Sequence, residues 1–175
     1  MGLFSFLFGA CSKPKRPETA DRQTVFADLR KQALTGTRAS FSLDATATPT
    51  TPWGVVMETG FPEGSFTLVA FSDGNASIYL SSGGGSIGGG GHETVRRAAQ
   101  TMVSIATRFQ PQATATKEFP LPNSGQTTFY LLTDSGAFTT TAPEQDLGEE
   151  RHPWSPLFHA GHEVIGQYRL IEERK

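Results

Sequence analysis

One cysteine, Cys11, stands in the whole chain. That excludes an intrachain disulfide and any zinc site built on cysteines. Charge is also scarce, at 18% of residues, and the 15 basic and 17 acidic side chains nearly cancel to a formal -2. A nucleic-acid binder carries a basic excess or stripe, so no nucleic acid is expected as a partner. No apolar run approaches the roughly 20 residues that cross a bilayer. The patterns H-E-x-x-H and Gly-x-Ser-x-Gly are missing. No catalytic residue, metal or cofactor is therefore expected, and the reading leans away from an enzyme.

What is plentiful is phenylalanine, at 13, with 19 glycines and 11 prolines. The rings require burial, and the glycines and prolines mark turns. A chain of 175 residues can bury roughly 70% of its unfolded surface, enough for one self-sufficient domain. The expected division is an N-terminal segment, residues 1–16, and a single domain over 17–175.

In the N-terminal segment Leu3, Phe4, Phe6, Leu7 and Phe8 are followed by Lys13, Lys15 and Arg16. Apolar insertion and nearby basic charge are two weak anchoring terms for a membrane surface. The same residues could instead pack on this domain or on a neighbour. Ala10 before Cys11 resembles the end of a bacterial lipoprotein signal, although Phe8 stands where a smaller aliphatic residue is usual and no basic n-region precedes it. Position six is Phe6 rather than Ser or Thr, which argues against N-myristoylation. A cytoplasmic protein is expected, with membrane association and lipoprotein processing at Cys11 as the alternatives.

Beyond Pro17, helical spacing of Val25, Phe26, Leu29, Ala33 and Leu34 predicts a helix stopped by Gly36. Thr37–Pro52 reads as a loop with a short strand near Phe41. Trp53–Thr59 is a strand, 60–64 a turn, and Ser65–Ser72 a strand apolar on both faces, which suits a central position. Asp73-Gly74 predicts a tight hairpin turn with positive φ at both residues. The strand returns with Ala76, Ile78 and Leu80 inward. Val95, Ala98, Ala99, Met102, Ile105, Ala106 and Phe109 trace one face of a second helix. The second half repeats the plan: strand 127–133, turn 134–136, strand 137–141, polar loop 143–153, and a helix over 154–172 with Leu157, Phe158, Gly161, Ile165 and Tyr168 inward. The two halves are either a pseudo-repeat or two hairpins with similar turn chemistry. Hairpins favour an antiparallel sheet, so the expected fold is α+β: a central antiparallel sheet packed with about three helices.

Gly83, Gly85 and Gly88 spell G-x-G-x-x-G between a strand and a helix, followed by His92, Arg96 and Arg97. Backbone amides near a helix N-terminus attract anions, so these six residues are the candidate ligand site. The strand before the run belongs to a hairpin, no acidic residue follows at the dinucleotide spacing, and no Lys-Ser or Lys-Thr pair completes a P-loop. The plainer reading is a connection that needs positive φ. His159 and His162, three apart on a helix, lack a third ligand and read as half-buried or interfacial.

The stretch from Asp73 through Gly83–Gly91 to Arg96, together with His152–Ile165, resembles an uncharacterised family of bacterial proteins over most of the chain after Trp53. The order helix, strands, helix, strands, helix is similar to roadblock, longin and profilin-like domains. That second likeness implies a dimerising scaffold around an antiparallel sheet. Three functions are thus in view. The first is a non-enzymatic interaction module with a protein partner or a second copy of itself. The others are an anion- or small-ligand-binding protein or enzyme that uses Gly83–Gly91, and a protein held at a membrane surface by its N-terminus.

Overall fold

The computed structural model describes residues 19–173. The expectations for Leu3, Phe4, Phe6, Leu7, Phe8 and Cys11 lie outside the described residues.

Among the described residues, seven strands form one antiparallel sheet: β1 (Gly54–Phe61), β2 (Gly64–Phe71), β3 (Ala76–Leu80), β4 (Gly85–Ser86), β5 (Thr114–Thr116), β6 (Gln126–Thr133) and β7 (Gly136–Pro143), in spatial order β4-β3-β2-β1-β6-β7-β5. The helices are α1 (Thr19–Thr35), α2 (Glu93–Ala106), the single-turn α3 (Glu144–Gly148) and α4 (Ser155–Glu172). The α+β class with a central antiparallel sheet and three long helices is as the hairpin pattern predicts.

β1 is the hub, paired along its length with β2 on one side and β6 on the other. Alternation then sorts its side chains. Val55 and Met57 join Leu68, Ala70, Phe129 and Leu131 in a core closed by α2 and α4. Val56 joins Val69, Tyr79, Tyr130 and Leu132 beneath α1, where Phe26, Ala33 and Leu34 cover them. With helices on both faces, β2 is apolar on both, which accounts for its unbroken hydrophobic run. The α2 stripe is buried at Val95, Ala99, Met102 and Ala106, and Val103 joins it. α2 and α4 run antiparallel: Phe109, just past α2, meets Trp154 at the start of α4, while Gly89, just before α2, bonds to Tyr168 near the end of α4.

Several local expectations are corrected. Leu80 is 39% exposed and Tyr79 is the buried residue, because the second face of β3 lies under α1 rather than in solvent. Val25 is 53% exposed, since α1 buries a narrower stripe than its apolar spacing suggests. In the Asp73-Gly74 turn only Gly74 has positive φ, and Asp73 instead accepts from the Asn75 amide. Gly60 and Phe61 belong to β1 rather than to the turn. Residues 39–41 form a 3-10 turn, not a strand. Part of the loop over 143–153 is α3, which buries Leu147.

Gly60 is required by a close approach: a Cβ there would meet the Asn123 carbonyl oxygen at 2.3 Å, and the Gly60 carbonyl accepts from the Gly125 amide at 2.8 Å. Gly166 is the opposite case, within α4 and with nothing inside 4 Å of an added Cβ. Gly60→Ala should therefore destabilise the fold by about 1–3 kcal/mol. Gly166→Ala should stabilise it by about 0.5–1 kcal/mol through helix propensity and unfolded-state entropy. Urea unfolding midpoints of the two variants check the opposite signs.

Candidate functional site

A charged residue in the middle of a two-sided strand needs a partner. Glu58 is such a residue, fully buried on β1 on the α1 side. Arg30 reaches it from α1 with both ends of the guanidinium fork, Nε and Nη2 donating to the two carboxylate oxygens at 2.7 Å each. Thr67 Oγ1, beside Glu58 on β2, donates a third bond at 2.7 Å. Arg30 Nη2 also donates to the Phe119 carbonyl at 2.8 Å. The Tyr130 hydroxyl, from β6, donates to the neighbouring Pro120 carbonyl at 2.7 Å. The ion pair thus ties α1, β1, β2 and the segment before β6 together, and Tyr130 joins that segment to β6.

Burial alone lowers the Arg30 pKa, but the bonds and charge of Glu58 outweigh that, so the net shift is upward. Burial, with the Glu58 charge adding to it, pushes the Tyr130 hydroxyl up to about 12. At neutral pH the tyrosine is a donor and the carboxylate is occupied by three donors. The cluster is arranged to hold elements together rather than to move a proton.

Beside it lies an open groove of about 550 Å³. Thr128, Thr139 and Thr141 form its floor on β6 and β7, and Pro120–Ser124 forms one wall. Thr128 and Thr141 already bond to each other at 2.8 Å.

The six residues of the glycine-rich candidate site are placed as follows. Gly83 closes a turn against Arg22, and Gly85 begins β4, where a Cβ would meet the Ile78 carbonyl oxygen at 2.0 Å. Gly88 has φ 75. Its amide lies 3.4 Å from Ser77 Oγ, while the Gly89 amide donates to the Tyr168 hydroxyl at 3.0 Å. His92 immediately precedes α2. The Arg96 guanidinium donates to the Gly90 carbonyl and pairs with Glu93. Arg97 pairs with the same Glu93 at 3.3 Å. Gly88, Arg96 and Gly89 are thus drawn into bonds within the chain, and the run is an edge strand plus a 3-10 turn.

The residues that organise this region, Tyr168 and Arg96, do so from the helices. The Tyr168 hydroxyl also donates to the Ala76 carbonyl, and burial pushes its pKa up to about 12. Tyr168 was visible only as one apolar position on α4. Arg30 carried no sequence signal of its own, and the signal for the cluster was Glu58 inside an apolar strand.

On the outer side of the helical layer, α2 and α4 bound a groove of about 460 Å³. Ala98, Ile105, Pro156 and Ala160 lie along it, with Arg97 on the α2 side and Glu163 on the α4 side. His162 packs on the Phe158 ring at 4.3 Å. Partial burial, then His159 and Arg169, hold its pKa below the usual histidine value. Among the described residues, no group of three His, Cys, Asp or Glu side chains could hold a metal ion, and no helix is long and apolar enough to cross a membrane. No family model, curated protein or solved structure matches this chain.

Two predictions follow the chemistry of the buried groups. Arg30→Met leaves Glu58 buried and unpaired and should cost about 3–5 kcal/mol, most of which Glu58→Leu in the same chain should recover. Chemical denaturation of the two single variants and the double variant measures this. The second concerns alkaline pH. Tyr130 and Tyr168 ionise near 12 in the fold but near 10 when unfolded. Above pH 10 the unfolded chain therefore holds fewer protons, and the tyrosines' contribution, complete below that pH, is lost as pH rises toward 12. Tyr130→Phe and Tyr168→Phe should each flatten the decline in stability over that window.

Proposed function

We propose that this chain is a non-catalytic interaction module that docks on a protein partner, another protein or a second copy of itself. The observation that carries the reading is the outer surface of the helical layer. Its groove presents more apolar than polar surface, from Ala98, Ile105, Pro156 and Ala160, with Thr94, Thr101, Gln167 and one charge of each sign around it, a mixture that protein-binding patches share. The inner polar groups give further support, because Glu58, Arg30, Tyr130 and Tyr168 are engaged in bonds between elements. The resemblance to bacterial sequences and the element order shared with dimerising scaffolds belong to the same proposal, which sets the protein in a bacterial cytoplasm.

The test is purification of a C-terminally tagged chain from cells that also express an untagged copy at natural abundance. The expected result is one near-stoichiometric companion, either the untagged chain or a single other protein. A tagged chain recovered alone and sedimenting as a monomer would contradict the reading.

A further inference from the structure

The α2–α4 groove has a symmetry that selects its occupant. Because the two helices are antiparallel, their levels can be matched from the contacts at both ends. Gly89 lies at Tyr168 and Phe109 lies at Trp154, which sets Arg97 level with Glu163, Thr101 level with Ala160, and Ile105 level with Pro156. All six line the groove. Thr94 and Gln167, also on the lining, are level with each other one turn nearer the Gly89 end, so the charged pair lies off the middle of the groove with the small and apolar residues on its other side.

We infer that this face binds a second copy of the chain about a two-fold axis running along the groove; the inference rests on the interaction-module reading and names its partner. A closed homodimer uses the same patch twice. Rotation by 180° about that axis carries α2 of one copy over α4 of the other without shifting the level. Arg97 then meets the Glu163 of the second copy, and Glu163 meets its Arg97, so two opposite-charge pairs flank the groove. Ala98, Ala160 and Thr101, small at the centre, allow the helices to approach closely. An axis perpendicular to the groove but still in the interface would instead set α2 over α2 and α4 over α4, and neither charge would then face an opposite one.

In the isolated chain both charges are exposed and only locally engaged. Arg97 is 71% exposed in its pair with Glu93, and Glu163 accepts from Gln167, one turn on, at 2.7 Å. Exposed pairs of this type contribute little, so exchanging them for contacts across a desolvated interface costs little.

The experiment is sedimentation equilibrium of the full chain over a concentration series, for the wild type, Arg97→Glu, Glu163→Arg and the double reversal. The wild type should dimerise. Each single reversal sets like charges together twice and should weaken dimerisation by about tenfold or more, and the double reversal should restore it. Circular dichroism should be unchanged, because both side chains are on the surface. A wild type that stays monomeric overturns the proposal. So does a dimer indifferent to both single reversals, although that result leaves the interaction-module reading standing on another surface.

Discussion

A carboxylate placed at the centre of a two-sided sheet has to be matched there, and the rest of the architecture is organised around how Glu58 is matched. The strand that carries it is paired on both sides and is covered by helices above and below, so water cannot serve. Arg30 meets it with a bidentate fork, and Thr67 supplies the third donor. Such a pair adds little net stability compared with a hydrophobic replacement, because desolvation consumes most of the attraction. Its effect is to specify position. α1 can lie on the sheet only where Arg30 reaches Glu58, and the carbonyls of Phe119 and Pro120 are then drawn to Arg30 and Tyr130.

That arrangement divides the labour between the faces. The α1 face closes inward: its polar groups are used in joining α1, the sheet and the segment leading into β6. The Arg38–Asp134 pair fastens the far end of the same layer. The opposite face is built from α2 and α4, whose inner stripes are packed on Met57, Leu68 and Phe129. Gly161 lets α4 approach so closely that a Cβ would fall 2.7 Å from the Met57 sulfur. The outer side of that pair keeps an apolar floor over which none of the described residues is laid.

Legibility in the sequence followed the strength of the periodic signal. The α2 stripe from Val95 to Phe109 and the two-faced run of β2 were readable because many side chains repeat one geometric rule. β4 and β5 were not, since two or three residues among glycines or threonines carry no period. Tyr79 and Leu80 were exchanged because β3 is apolar on alternate residues of both kinds, and which face lies under a helix is decided by α1, some 45 residues away. The glycine-rich run was recognisable as a place of unusual backbone, but not as one whose amide and carbonyl groups are met by Tyr168 and Arg96 from the helices. Glu58 inside an apolar strand was the signal for a buried partner and went unread, and Arg30, one arginine on a helix, carried no signal at all. A groove between two helices is likewise invisible until their relative direction is known, and so was the level match of Arg97 with Glu163.

The central claim, that the helical layer is a self-complementary docking face, is tested most directly by mixing two chains that should each fail to pair with themselves. One carries Arg97→Glu, so both groove charges are acidic; the other carries Glu163→Arg, so both are basic. Native mass spectrometry of the mixture should show a one-to-one heterodimer between chains that are monomeric apart, because both interfacial pairs become attractive only in the mixed species. Two chains that remain monomers together, or that pair with themselves as readily as with each other, would contradict the account.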